Sequence, residues 1–137
     1  MKNNDVIKNL RKVLKASDQL KDEQIDKILG PFSEGDISDE ALSKILDELI
    51  TFKRGENKNA STEPPELPIT NNIVLKKLRV AFEIKEDDLL RMTTELKDKT
   101  EPREWSAYFR KATHKHYRNC PDDFLMTILK ALQKYKG

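Results

Sequence analysis

Hydrophobic residues recur at helical spacing along most of the chain. From Asn4 to about Ala16, apolar side chains fall at positions i, i+1, i+4, i+7 and i+8, which is one face of a 3.6-residue period. The same reading predicts further helices over Asp22 to Leu29, Ser38 to about Gly55, Thr70 to Phe82, Lys85 to Lys97, Thr100 to about Lys111, and Cys120 to Tyr135. We therefore expect an all-α fold of about seven helices.

One helix occurs twice. Residues 72–82 repeat residues 4–14 at an offset of 68, with Asn, Val, Lys, Leu and Arg identical, and the last helix echoes the helix after Ser38 at an offset of 83. The larger offset indicates an insert of about fifteen residues in the second copy. The repeat predicts two tandem units, 1–55 and 70–137, joined by an exposed linker at 56–69, related by an approximate two-fold pseudo-symmetry and sharing one core.

Asparagine stands at the same place in both copies, as Asn4 and Asn72. An asparagine side chain accepts hydrogen bonds from the unpaired N–H groups at a helix N-terminus. We therefore interpret both residues as structural caps, with Thr70 as an alternative cap of the second copy.

Both copies also keep a basic pair on one helix face, Lys8 with Arg11 and Lys76 with Arg79. Two such faces could grip phosphate groups. Since charge on an outer helix face needs no ligand, we favour a structural interpretation, in which the arginines pair with acids of neighbouring helices.

The duplicated Asn-x-Val-(Ile/Leu)-Lys-x-Leu-Arg helix, and the run from His114 to Leu125 that leads into a Leu-rich last helix, resemble the YehS-like family of small bacterial cytoplasmic proteins. That family is catalogued as a twice-repeated domain of unknown function, so the resemblance implies a duplicated helical architecture and no activity. In the first half, Gly30 to Ile37 replaces the middle helix and the aromatic-x-x-Cys loop that the family pattern usually has.

Composition narrows the class of protein. The chain has 137 residues, 36% hydrophobic and 36% charged, with four glycines, which suits amphipathic helices packed in one core. No apolar run approaches the roughly 18 residues of a membrane span, and the N-terminus lacks the apolar core of a signal peptide. We expect a cytoplasmic protein without a membrane partner. The single Cys120 agrees with a reducing compartment.

Positive charge is concentrated in the second half, whose net charge is +5, against −3 for residues 1–70. Between Arg103 and Arg118 the chain has five cations and one acid, interleaved with aromatic residues. Cations of this kind bind phosphate backbones, and exposed aromatic side chains stack on unpaired bases. Alternatively the aromatic residues form one buried helix face and the cations are ordinary surface. This helix face comprises the aromatic residues Trp105, Tyr108 and Phe109, together with Ala112.

Metal and thiol chemistry have weaker support. The spacing His114-x-His116-x-x-x-Cys120, with Asp122 nearby, contains zinc-ligand types but has no paired Cys-x-x-Cys. Cys120 also precedes a helix N-terminus among basic residues, which lowers a thiol pKa, although the following acids oppose this and cysteine is often a small buried hydrophobe. We assign no metal, no cofactor and no catalytic residue.

The sequence thus favours a non-enzymatic binding or regulatory protein that acts through protein–protein contacts of the second repeat. The alternatives are a nucleic-acid-binding protein that uses segment 103–118, and a redox or enzyme site at Cys120 and His116. Self-association is a further option, because the Leu-rich last helix has a wide apolar face. The predicted binding residues are Arg110, Lys111, His114, Lys115, His116, Tyr117, Arg118 and Cys120.

Overall fold

The computed structural model describes residues 2–30, 35–55 and 67–134. Within these ranges the fold is all-α, with seven helices and no strand, as the hydrophobic pattern predicts. The helices are α1 (Asn3–Ser17), α2 (Asp22–Leu29), α3 (Asp39–Arg54), α4 (Asn71–Phe82), α5 (Glu86–Glu95), α6 (Pro102–Tyr108) and α7 (Asp122–Lys134). Across the same ranges, no helix has the length and apolar character needed to span a membrane.

Several helix ends follow from local sequence. The hydroxyl of Ser38 accepts the Ala41 N–H at 3.1 Å and caps α3. The hydroxyl of Thr70 accepts the Ile73 N–H at 3.2 Å, so the alternative cap predicted for α4 is confirmed. At its C-terminal end α3 is followed by Gly55, whose φ of 84° lies in the left-handed region that favours glycine.

The prediction that Asn4 and Asn72 cap their helices is wrong. The N-cap residues are Lys2 for α1 and Thr70 for α4, so both asparagines lie inside the first helical turn. A side chain at that position projects away from its own helix, and both amides bind the backbone of a distant loop instead.

The aromatic helix α6 is shorter than predicted. It ends at Tyr108 because the Phe109 and Arg110 N–H groups turn back to carbonyls three residues earlier, which ends the helical ladder. Trp105 and Tyr108 are buried as predicted, whereas Ala112 lies beyond the helix and is exposed. The interpretation of these aromatic residues as core is confirmed for Trp105 and Tyr108.

The four core helices α1, α3, α4 and α7 begin at the same end of the molecule. Asn3 donates to the Asp39 carboxylate at 2.8 Å, and that carboxylate also accepts the Ile69 N–H at 3.0 Å. Asn71 donates to the Asp122 carboxylate at 2.6 Å. These contacts join the first turns of α1, α3, α4 and α7.

The same helices also end together. Lys53 at the end of α3 binds the Asp18 carboxylate beyond α1 at 2.9 Å, and Arg54 pairs with Glu83 beyond α4. Leu132 of α7 lines a small cavity with these residues. The four core helices are therefore parallel, which is unusual because each must be followed by a segment that returns to the starting end.

The core joins the two halves of the chain. α1 packs mainly against α7 and α3 packs mainly against α4, so each main pair takes one helix from each half. The apolar stripe of both repeated helices is buried, and Leu10 and Leu78 are fully inaccessible to solvent. Apart from Ala107, the buried apolar residues of the described ranges form one cluster.

Two expectations about apolar faces need correction. The stripe of α7 is buried inside the chain, so it offers no free surface for self-association between Asp122 and Lys134. The 3.6-residue spacing of α3 predicts that Phe52 is buried, but it is half exposed because it lies in the last turn of that helix.

Some predictions fall partly outside the described residues. These are the loop after Gly30, most of the linker at 56–69, and the end of the last helix at Tyr135. The boundaries of the two units, 1–55 and 70–137, remain predictions.

Candidate binding cleft

Residues 109–121, here called the basic loop, connect α6 to α7. The loop makes two tight turns, in which the His114 N–H donates to the Lys111 carbonyl at 2.9 Å and the Tyr117 N–H donates to the His114 carbonyl at 3.0 Å. The chain then returns to the end of α6.

Two arginines meet at one carbonyl group of α6. The backbone N–H groups of Arg110 and Arg118 both donate to the Ala107 carbonyl, each at 3.4 Å. Their main chains therefore lie next to each other although eight sequence positions separate them. Both side chains are exposed and line the same cleft.

Asn72 of α4 fixes both ends of the basic loop. Its Nδ2 donates to the carbonyls of Tyr108 at 3.0 Å and Arg118 at 2.8 Å, and its Oδ1 accepts the Cys120 N–H at 2.8 Å. The residue is 3% exposed, and these three bonds use both amide N–H groups and the amide oxygen.

Three neighbours of Asn72 on α4 also hold the loop. Lys76 donates to the Arg110 carbonyl at 3.2 Å, and Asn71 donates to the Cys120 carbonyl at 3.0 Å. The Arg79 guanidinium lies 4.6 Å from the centroid of the Phe109 ring. Lys76 and Arg79 thus bind parts of the chain itself and are not a pair of free phosphate ligands. Arg79 also donates to the Ile84 carbonyl at 3.0 Å, so the prediction that it pairs with an acid of a neighbouring helix is wrong.

The first half has a related set of contacts. Asn3 donates to the Ile37 carbonyl at 2.8 Å, as Asn71 does to the Cys120 carbonyl. Asn4 accepts the Ile37 N–H at 3.0 Å and donates to the Gly35 carbonyl at 2.9 Å. Arg11 pairs with an acid of α2, as the structural interpretation of the basic pairs predicts.

A cleft of about 540 Å³ lies between α6 and the basic loop. This volume is in the usual range for ligand sites, roughly 300–1,000 Å³, but its lining is mainly polar, whereas most small-molecule sites are mainly apolar. The residues that line it are Arg103, Glu104, Ala107, Arg110, Lys115, His116, Tyr117 and Arg118.

Arg110 and Arg118 of the cleft differ from most other arginines of the described chain. Arg103 pairs with the exposed Glu101 at 3.3 Å, but among the described residues Arg110, Lys115 and Arg118 make no ion pair with a carboxylate. Elsewhere in the described chain, three of the other four arginines and three lysines have acidic partners, in the pairs Arg11–Asp26, Lys15–Asp22, Lys53–Asp18, Arg54–Glu83, Lys77–Asp47 and Arg91–Asp88. The cleft therefore concentrates uncompensated positive charge.

The two histidines lie close together but have different surroundings. His114 accepts the His116 N–H at its Nδ1 at 3.0 Å, its Nε2 lies 3.3 Å from the Arg110 guanidinium, and the two imidazole rings are 5.6 Å apart. His116 lines the cleft and His114 does not. Within the ranges described, no group of three or more His, Cys, Asp or Glu residues could hold a metal ion.

Cys120 is a core residue and not part of the cleft surface. It is 5% exposed, and burial, with the Asp122 carboxylate as a second cause, raises the pKa of its thiol to about 12. The thiol is therefore protonated at neutral pH. This removes the basis for a lowered pKa, because burial outweighs the helix N-terminus and the nearby basic residues.

The aromatic residues of the segment are mostly unavailable to a ligand. Trp105 and Tyr108 are buried, and Tyr108 packs edge-on against Phe124 with ring centroids 5.1 Å apart. Phe109 is covered on one side by Arg79. Tyr117, which is half buried, is the aromatic residue that lines the cleft.

The structure brings together five of the eight predicted binding residues. Arg110, Lys115, His116, Tyr117 and Arg118 line one cleft, whereas Lys111 and His114 lie outside it and Cys120 is buried.

Four residues of this site are not among the predicted binding residues, namely Arg103, Glu104, Ala107 and Asn72. Arg103 and Ala107 fall at i and i+4 on α6, a spacing that could have placed them beside Arg110 at i+7. Asn72 was assigned to a cap, although Thr70 already supplies one.

Comparisons with known proteins agree with the resemblance noted above. Residues 71–137 match the model of a family described as "Protein of unknown function (DUF1456)", a range that contains the whole basic loop. The chain is 37% identical over 147 aligned positions to the "Uncharacterized protein YehS" of Escherichia coli (strain K12), with 96% of this chain and 94% of that protein covered. No solved structure matches the chain.

Proposed function

We propose that this chain, which belongs to the YehS-like family of proteins of unknown function, is a non-enzymatic binding protein. Its cleft between α6 and the basic loop binds an acidic segment of a partner protein. One observation carries the proposal. Arg110, Lys115 and Arg118 line one cleft and have no carboxylate partner among the described residues. An acidic segment supplies the missing charge.

The anchoring of the loop supports a binding role. Asn72 and Lys76 hold the backbone at Arg118 and Arg110, so the cations are presented from a fixed main chain. A fixed backbone reduces the entropy lost on binding. The part of the chain that orders these cations is the repeated helix α4.

A protein partner is favoured over nucleic acid by the aromatic residues. Binding of single-stranded nucleic acid relies on several exposed rings for stacking, but Trp105 and Tyr108 are buried and Phe109 carries the Arg79 guanidinium. Of the Trp, Tyr and Phe side chains in segment 103–118, only Tyr117 lines the cleft. The nucleic-acid alternative for segment 103–118 therefore rests on charge only.

The non-enzymatic part of the proposal is supported by the state of Cys120. A thiol with a pKa of about 12 is a poor nucleophile at neutral pH, and Cys120 is buried while His116 lies in the exposed lining of the cleft. The redox or enzyme alternative at these two residues has no shared geometry to support it.

We also propose that the chain consists of two units related by approximate two-fold pseudo-symmetry. The similar hydrogen bonds of Asn3 with Ile37 and of Asn71 with Cys120, and the cross-pairing of α1 with α7 and of α3 with α4, support this. In this view only the second unit keeps the segment that forms the binding cleft, because Gly30 to Ile37 replaces that segment in the first unit.

The proposal is tested with a fluorescent peptide of about ten glutamates and an oligonucleotide of about ten nucleotides, which have similar charge, by anisotropy at about 50 mM salt. The variant Arg110→Ala/Arg118→Ala should weaken peptide binding about tenfold, since each exposed guanidinium–carboxylate contact contributes up to about 1 kcal/mol. The matched control Lys8→Ala/Lys12→Ala removes two exposed cations of α1 and should leave the affinity within about twofold.

Three results would contradict the proposal. Absence of peptide binding to the wild-type chain would exclude an acidic segment as the ligand. An equal loss in both double variants would show that only net charge matters. Tighter binding of the oligonucleotide than of the peptide would favour the nucleic-acid alternative.

A further inference from the structure

We infer that the acidic segment carries a phosphorylated side chain, and that its phosphate monoester lies between Arg110 and Arg118 with Lys115 beside it. This inference rests on the proposed function and names the chemical group that the cleft selects. Its basis is the amount of charge, the arrangement of the two arginines and the fixed backbone that carries them.

The charge of the cleft matches a dianion. If the Arg103–Glu101 pair is left aside, three cations without carboxylate partners face one lining acid, Glu104, so the lysine, arginine and glutamate side chains give a net charge of +2. A phosphate monoester has a charge of about −2 at neutral pH, whereas one carboxylate supplies only −1.

The arrangement of the arginines also favours phosphate. The main chains of Arg110 and Arg118 converge on the Ala107 carbonyl, so two guanidinium groups start from adjacent points at one cleft. A phosphate monoester presents three terminal oxygens, which can accept from two guanidinium forks at once. Among the described residues, the carboxylates that pair with arginine each contact a single arginine, as Asp26 does with Arg11.

The room in the cleft fits a peptide around the phosphate. A single phosphate group fills only a small part of about 540 Å³, so the flanking residues of a chain have space to enter. The half-buried Tyr117 and the buried Ala107 supply the apolar part of the lining. Free phosphate would leave these two residues without a contact.

Three fluorescent peptides test the inference. They share one sequence, with glutamates on both sides of a central phosphoserine, serine or glutamate. We expect the phosphoserine peptide to bind the full chain about tenfold more tightly than the serine peptide and at least about threefold more tightly than the glutamate peptide. Inorganic phosphate at the same concentration should displace it only weakly.

Two variants locate the selectivity. Arg110→Lys/Arg118→Lys keeps the charge but removes both guanidinium forks, so the preference for phosphoserine over glutamate should fall by at least about twofold, to the part that charge alone supplies. Lys111→Gln removes a loop cation that lies outside the cleft, so it should weaken all three peptides alike and keep the preference. Far-UV circular dichroism and thermal unfolding check that each variant is folded.

The outcomes separate this inference from the proposed function. Equal binding of the phosphoserine and glutamate peptides overturns the inference and leaves the proposed function in place. Binding of none of the three overturns both. An undiminished preference for phosphoserine in Arg110→Lys/Arg118→Lys overturns the placement of the phosphate between these two residues. Inorganic phosphate that binds as strongly as the phosphoserine peptide overturns the choice of a phosphorylated protein segment.

Discussion

The side chain of Asn72 joins three backbone groups at both ends of the basic loop, and its removal is expected to destabilise the fold by about 3 kcal/mol. Asn72→Ala deletes two donated bonds and one accepted bond, each with a net contribution of about 1 kcal/mol. The contacts to Tyr108 and Cys120 are buried, so water cannot replace them at no cost. The contact to Arg118 is partly buried and contributes less.

The chain supplies its own control in Asn4. This residue occupies the same place in the first repeated helix but makes one exposed and one partly buried bond to its loop, and it is itself partly exposed. Water can take over both contacts, so Asn4→Ala should cost about 1 kcal/mol or less.

Urea unfolding followed by circular dichroism measures both variants, and an unchanged m-value shows that the same surface is exposed on unfolding. For a chain of this size, about 3 kcal/mol corresponds to a fall in Tm of about 10 °C. The third variant, Asn72→Asp, keeps the acceptor for the Cys120 N–H but places a carboxylate against two carbonyl groups, so it should be at least as destabilising as alanine. A difference of less than about 0.5 kcal/mol between Asn72→Ala and Asn4→Ala would contradict the role assigned to the three bonds of Asn72.

Two other residues give independent predictions. Lys53→Met should lower the free energy of unfolding by about 1–3 kcal/mol in urea titrations, because it leaves the Asp18 carboxylate, which is 17% exposed, without its cation. The control Lys15→Met removes an exposed cation, and an equal loss of unfolding free energy in the two variants would contradict this. The thiol of Cys120 should react with iodoacetamide at pH 7 far more slowly than free cysteine, and fast alkylation of the folded chain would contradict its burial. The pKa of the Cys120 thiol is raised to about 12 in the folded chain. The neutral thiol therefore stabilises the fold fully below about pH 8.5, and this contribution is lost as the pH rises toward 12. Cys120→Ala should make the free energy of unfolding less dependent on pH in that range.

The helices and their buried faces could be predicted from the sequence because both depend on local spacing. The stripe that includes Leu10 and Leu78 is buried as the 3.6-residue period requires, and the hydroxyl caps Ser38 and Thr70 need only neighbours three residues away.

The candidate site could be predicted only in part, because a loop has no period. Arg110 and Arg118 were recognised by composition, but their meeting at Ala107 depends on a turn that the residue pattern does not encode. Asn72 was misread because its three partners lie 36, 46 and 48 positions away, and a capping interpretation considers only adjacent N–H groups. The burial of Cys120 likewise depends on the distant packing of α4 and α7.

The parallel course of the core helices affects how the chain reaches its native state. In an up-and-down bundle each helix meets its partner across a short loop, but here α1 packs mainly on α7, and about 120 positions separate their first residues, Asn3 and Asp122. Contacts of such long separation require closure of a large loop, which slows folding. During synthesis at roughly 5–20 residues per second, α1 emerges about ten seconds before α7 exists. For that interval its buried stripe of Val6, Ile7, Leu10, Val13 and Leu14 lacks its main partner, so the core cannot close until the last helix has been made.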